Sequence, residues 1–340
     1  FLADHTFLNI KVAVKVMSPK LLSDSEYAER FLREARIAAQ LRHPNIVATL
    51  DGDQIGDLHY LTMEYLAAGD LRAAMKDEDG ISLGFAIEVT KQIARALNYL
   101  ADNNYVHRDI KPENILLRAD RTPVLCDFGI TRKIKRDQVS EQEQTLSEQQ
   151  FQTQANQIIG TPAYMSPEQA MADELDGRSD LYSLACVFYE MLVGQVPFRG
   201  KNNAETRNLR LTSPVPTLPD VLEPFQFFID KAMEPNPEER FQSGIEMARA
   251  LEFLEQEHYD LIHAGRTTVV EAPAGFTSRS STRTSKKKGI KGLKKALFPG
   301  QDTSLPGSAA ARVAAQKQRK RRTTMIGVAA ASVLIAGGVV

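Results

Sequence analysis

Eight consecutive residues, His107-Arg108-Asp109-Ile110-Lys111-Pro112-Glu113-Asn114, bring carboxylates, cations and a carboxamide together, and Asp127-Phe128-Gly129 follows soon after. The stretches between them, Ile115-Leu116-Leu117 and Val124-Leu125-Cys126, are apolar. They predict two short strands that end in a polar cleft suited to phosphate. Phosphoryl transfer needs metal ions to neutralise phosphates, a cation to hold them and a carboxylate to orient the attacking hydroxyl. Hard divalent cations prefer oxygen donors such as carboxylates. A lone Asp-Phe-Gly carries little weight, whereas the whole set in this order carries a great deal.

These motifs resemble the catalytic loop and metal-binding aspartate of Hanks-type bacterial serine/threonine protein kinases, in particular the membrane-anchored, PknB-like branch. The resemblance covers about residues 1–255. It implies an α+β, two-lobed protein kinase fold with a small β-rich N-lobe (1–66) and a large helical C-lobe (67–255). It also implies that Asp109 accepts the proton of the substrate hydroxyl and that Lys111 approaches the transferring phosphate. Asn114 and Asp127 would hold Mg2+ (or Mn2+) on ATP. Met63, Glu64 and Leu66 fall on the hinge that receives adenine, with Met63 guarding the inner pocket. Asp-Ile-Lys-Pro-Glu-Asn is the serine/threonine version of the loop, and Gly160-Thr161-Pro162 resembles the substrate-positioning segment, with the Thr161 hydroxyl near Asp109. As supports, the resemblance pairs Glu168 of Ser166-Pro167-Glu168 with Arg240 and lets Asp180 brace the catalytic loop.

Lys15 has a logic of its own. It lies in Val12-Ala13-Val14-Lys15-Val16-Met17, an apolar β-branched run that reads as a strand. A lysine in so apolar a strand calls for an anion. Glu34 intrudes on the apolar stripe of the next predicted helix (Tyr27, Phe31, Ala35, Ala38, Leu41), and pairing would cancel much of the cost of both charges. In the kinases this pair positions the ATP phosphates. Cys126 reads as a small buried hydrophobe rather than a reactive thiol.

Further strands are expected at Ile46–Leu50 and Leu58–Tyr65, and Gly69-Asp70 opens a short helix. Ala86, Val89, Ile93, Leu97 and Leu100 mark an amphipathic helix. Leu181 to Val193, apolar almost all round, predicts a buried central helix. For regulation, Arg108 offers a guanidinium that a phosphothreonine could engage to order the loop after Asp127. Thr153, eight residues before Thr161, is the first candidate, ahead of Thr145 and Ser147.

The net charge of −1 hides a division: from Phe276 to Arg322 there are 14 Lys and Arg against one acid, Asp302. Residues 256–322 are read as a basic, disordered juxtamembrane linker, and 323–340 as the start of a transmembrane helix. Met325 to Val340 carries no charge, and Arg319-Lys320-Arg321-Arg322 precedes it. By the positive-inside rule the folded part is cytosolic, tethered to the inner membrane by a single pass. Two cysteines without a disulfide pattern agree with a reducing compartment. No glycine precedes Gly52, so the chain is read as cut at both ends, lacking its first strand and glycine-rich loop. Expected partners are ATP, Ser/Thr protein substrates, the membrane and a homodimer formed for trans-autophosphorylation, with no nucleic acid. Two rival readings are a pseudokinase scaffold and a small-molecule phosphotransferase. The intact Lys15, Glu34, Asp109, Asn114 and Asp127 argue against the first, and the Ser-Pro-Glu segment with Arg240 argues against the second.

Overall fold

The structure is a computed structural model and describes residues 1–17, 35–56, 58–77, 80–127, 131–132 and 162–263. Its N-terminal lobe is an antiparallel sheet of β1 (Leu2–His5), β2 (Ile10–Val16), β3 (Thr49–Ile55) and β4 (Leu58–Glu64), in the order β1-β2-β4-β3. β2 pairs with β4 so that Ala13 lies opposite Met63 and Lys15 opposite Leu61. Directly opposed residues share a face of the sheet. Lys15 therefore projects from the same face as Leu61, which forms a small core with Met17, Ala35 and Met63. Residues 35–40 are helical, in keeping with the stripe that includes Ala35 and Ala38.

One strand differs from expectation. Pairing with β4 begins at Thr49 and runs to Ile55, across the polar Asp51-Gly52-Asp53-Gln54. Ile46 instead makes a bridge to Leu125, and the Val47 amide donates to the Leu125 carbonyl at 2.9 Å. The apolar pair Ile46-Val47 is buried against the C-terminal lobe rather than in the sheet.

The C-terminal lobe is helical. Asp70 caps α1 (Leu71–Lys76) and Ser82 caps α2 (Leu83–Asp102), each accepting from a backbone amide of the first turn. Such caps satisfy donors that a helix start otherwise leaves bare. α3 (Pro167–Met171) opens with a capping box between Ser166 and Gln169. α4 (Gly177–Val193) is the central helix, buried at every residue from Ser179 to Val193. After it in the chain come α5 (Asn203–Thr212), α6 (Gln226–Ala232), α7 (Gly244–Glu257) and α8 (Tyr259–Ile262). Phe188 meets Phe225 and Phe228 edge-on in the core. α7 and α2 approach backbone to backbone: a Cβ added at Gly244 would lie 1.9 Å from the Ala94 carbonyl oxygen. Helix continues past residue 255, to Ile262, so the first residues assigned to the linker belong to the folded lobe. No helix among the described residues is long and apolar enough to cross a membrane, and residues 323–340 lie outside them.

Candidate active site

Between α2 and α3 the chain forms β5 (Tyr105–Val106), the loop 107–111, and the hairpin β6 (Ile115–Leu117) and β7 (Pro123–Leu125). The two apolar stretches are thus paired strands, and the polar clusters sit at their ends. The loop is anchored from below. Asp180, buried in the first turn of α4, accepts the backbone amides of His107 (2.7 Å) and Arg108 (2.8 Å). His107 is fully buried; its Nε2 meets the Cys126 carbonyl at 3.1 Å and its Nδ1 accepts the Asp109 amide at 3.4 Å. That pattern assigns the proton to Nε2 of a neutral ring. Burial accordingly pushes the His107 pKa down to about 4. The same burial pushes Asp180 up to about 7, although its two amide donors pull the other way.

With the floor fixed, Asp109 projects outward, its side chain 52% exposed. Lys111 Nζ lies 2.7 Å from its Oδ2, and Asn114 Nδ2 donates both to that oxygen (2.9 Å) and to the Asp109 carbonyl (2.8 Å). Both bonds use the Asn114 amide nitrogen, which leaves Oδ1 as its donor atom toward a metal. Arg108 and Asp127 take positive φ, 71° and 52°. Left-handed backbone at a non-glycine residue is costly and persists only where surroundings enforce it. Here Asp180 and Gln169 enforce it for Arg108, whose carbonyl accepts Gln169 Nε2 at 2.8 Å.

Asp127 lies across the cleft, where Lys15 Nζ reaches its Oδ1 at 2.9 Å. Both side chains are about half-exposed, 41% and 52%. Glu34, the expected partner of Lys15, lies outside the described residues. The donors Asp127 and Asn114 suit magnesium: it takes one or two protein oxygens and completes its shell with water and phosphate. No cluster of three or more His, Cys, Asp or Glu that could hold a metal occurs among the described residues. Cys126 is buried and its thiol is pushed up to about 12, so it stays protonated and inert. At the end of β4, in the segment expected to receive adenine, Glu64 turns its carboxylate to Arg118 (2.6 Å) and to the Ala48 amide (2.9 Å).

The two carboxylates assigned to support are placed differently. Glu168 accepts from both terminal nitrogens of Arg240 at 2.7 Å, and Ser179 Oγ donates to it at 2.6 Å. Burial raises the Glu168 pKa, but Arg240 and Ser179 outweigh it and hold the carboxyl below its usual range. Sequence reasoning missed a second network. Arg72 of α1 reaches Glu113 (2.8 Å), Glu190 (2.8 Å) and the Tyr164 hydroxyl, which itself donates to Glu190 at 2.6 Å. One guanidinium thereby ties α1, the catalytic loop, α4 and the segment after residue 161. A signal was present, since Glu190 is the one carboxylate in the otherwise apolar run from Leu181 to Val193. The guanidinium of Arg108 is lowered by burial, with the Asp180 charge opposing. Thr145, Ser147, Thr153 and Thr161 lie outside the described residues.

Comparison with known proteins agrees with this geometry. The family model for the protein kinase domain matches residues 2–254. The chain is 35% identical over 311 residues to the serine/threonine-protein kinase PknB of Mycobacterium tuberculosis, covering 88% of this chain and 46% of the relative. It is 36% identical over 254 residues to PknB of Mycobacterium leprae, covering 72% and 39%. It is 30% identical over 289 residues to the serine/threonine-protein kinase PknH of Mycobacterium bovis, covering 82% and 46%. The chain thus spans about half the length, or less, of these relatives.

Proposed function

Since the chain belongs to the protein kinase domain family, we propose that it is a serine/threonine protein kinase that moves the γ-phosphoryl group of ATP to protein hydroxyls. The observation that carries this reading is the convergence of Asp109, Lys111 and Asn114 within 2.7–2.9 Å, facing a Lys15–Asp127 pair. Asp109 orients the acceptor hydroxyl and takes its proton. Lys111, already beside that carboxylate, supplies positive charge where charge grows on the transferring group. Asp127 and the Oδ1 of Asn114 would hold magnesium, which would supply positive charge against the nucleotide phosphates. Lys15 exchanges part of its attraction to Asp127 for the phosphates. Met63, the Glu64 backbone and Leu66 receive the adenine ring. In this reading Arg108 is the group a phosphorylated Thr153 would engage, and the Thr161 hydroxyl would serve substrate positioning near Asp109.

The resemblance in name to PknB kinases supports the serine/threonine class. The uncharged Met325–Val340 behind Arg319-Lys320-Arg321-Arg322 supports a single-pass membrane tether with the kinase on the cytoplasmic side. The test is labelled ATP with magnesium and a Ser/Thr protein substrate, beside Asp109→Asn. Transfer by the wild type, reduced by at least about 100-fold in the variant, is expected for a general base. ATP binding with no transfer by either protein would replace this reading with an ATP-binding scaffold.

A further inference from the structure

Arg210, on α5, is 1% exposed and sits inside the C-terminal lobe. Its guanidinium lies over the rings of Phe198 (5.6 Å) and Tyr182 (5.7 Å). Its two hydrogen-bonding partners among the described residues are neutral: Nη2 donates to the Ala163 carbonyl at 2.5 Å, and Nη1 lies 3.9 Å from Cys186 Sγ. Nε is buried with no acceptor among the described residues. Arg240 provides the contrast, since it meets a carboxylate with both terminal nitrogens.

A buried charge that lacks an anion is expensive, and an apolar side chain of similar volume would fill this aromatic box at lower cost. Filling the core therefore does not account for an arginine here. What the charge adds is a strong, directed bond to one carbonyl, because a bond from a charged donor is stronger than a neutral one. That carbonyl has a strategic position. Ala163 precedes Tyr164, whose hydroxyl joins the Arg72–Glu190 network and through Arg72 reaches Glu113 of the catalytic loop. Three residues later Ser166 caps α3, and Gln169 of that helix holds the Arg108 carbonyl. Segment 162–166 is thus tied to the loop of Asp109 through Tyr164 and, past Ser166, through Gln169, and Arg210 holds the Ala163 carbonyl that precedes both ties.

We propose that Arg210 is a positioning residue for the protein substrate: its desolvated guanidinium fixes the Ala163 carbonyl, and so holds segment 162–164 at the height where the acceptor chain lies against the Asp109 loop. The proposal rests on the kinase reading for its consequence in catalysis, but not for the anchoring itself.

Two measurements on the full-length protein separate these parts. The first is amide hydrogen exchange across residues 163–166 in wild type and Arg210→Met, which keeps the volume and removes the charge. Exchange at least about 10-fold faster there, at a melting temperature no lower than that of the wild type, is expected. Unchanged exchange in that segment overturns the proposal whether or not the protein transfers phosphate. The second is steady-state kinetics with a peptide acceptor. The KM for peptide is expected to rise several-fold, while the KM for ATP stays within about twofold. A parallel rise in both constants, or a fall in kcat alone, overturns the substrate-positioning role. Absence of transfer in the wild type would sink the kinase reading, and the exchange result would still decide the anchor. If Arg210→Met does not fold, Arg210→Gln serves for the same comparison, because it stays polar but removes the charge that strengthens the bond to the carbonyl.

Discussion

Two ion pairs in this molecule are built from the same kinds of group and put to opposite uses. Glu168–Arg240 lies in the C-terminal lobe with side chains 7% and 0% exposed, and Arg240 donates to Glu168 twice and to the carbonyls of Arg178, Glu234 and Pro235 besides. Lys15–Asp127 spans the cleft with both partners about half-exposed, joined at a single oxygen. The buried pair is saturated, so it can do nothing but hold. In the kinase reading, phosphate and metal would enter between the members of the exposed cleft pair. Burial, more than charge, separates the scaffold pair from the exposed one.

That contrast can be broken first at the working end. Asp109→Asn is expected to lower phosphate transfer by a factor on the order of 100 to 10,000 while leaving the melting temperature near that of the wild type. A large thermal shift in that variant would mean that the exposed cluster also holds the fold. At the scaffold end, Arg240→Met strands a buried carboxylate and should cost about 3–5 kcal/mol of stability in denaturant unfolding. The double change Glu168→Met with Arg240→Met should recover much of that loss, since it leaves no lone charge. Failure of the double variant to recover would show that the bonds of Arg240 to carbonyls matter more than its partner does.

A third test sharpens the comparison through pH. The neutral His107, with a pKa of about 4 in the fold against 6.5 ordinarily, makes the unfolded chain the first to bind a proton on acidification. Stability from this group is therefore lost as pH falls, by about 2 kcal/mol between pH 7 and pH 5. Asp180, about 7 in the fold against 3.8, makes the folded chain bind first. It restores about 2 kcal/mol over the same window. The neighbours cancel in the wild type. Asp180→Asn exposes the histidine alone, so its denaturation midpoint should fall more steeply than that of the wild type from pH 7 to pH 5. Parallel slopes would contradict both assignments. The smallest effect is expected at the half-exposed Arg95–Glu252 pair. There Arg95→Met should change stability by under about 1 kcal/mol.

The readability of these features in the sequence follows how local each one is. The candidate catalytic cluster sits within eight residues, so its composition draws attention to it. The central helix announced itself by an unbroken apolar run, and α2 by its spacing of three and four. β3 was misplaced because Asp51-Gly52-Asp53 is a poor strand sequence. It is held as a strand by pairing with β4, which is a tertiary effect. The Arg72–Glu190 bond joins residues 118 apart, and nothing around Arg72 marks it. The Asp180 brace and the Glu168–Arg240 bond span 73 and 72 residues, and only family resemblance brought them into view. Arg210 had no such help. In Thr206-Arg207-Asn208-Leu209-Arg210 two arginines stand three residues apart, and the sequence does not say which one turns inward.

The contact at Gly244 has a consequence at the level of the cell. Its α-carbon leaves no room for even a methyl group against the Ala94 carbonyl, yet it sits in α7, which carries none of the candidate site residues. An alanine there would push apart two helices that frame the lobe, while each molecule that did fold would keep its site intact. The trait would be read in protein abundance, through quality control and turnover, rather than in turnover number per molecule. A screen that scores phosphorylation output alone would misfile this glycine as part of the catalytic machinery; one that also quantified the protein would assign it to supply.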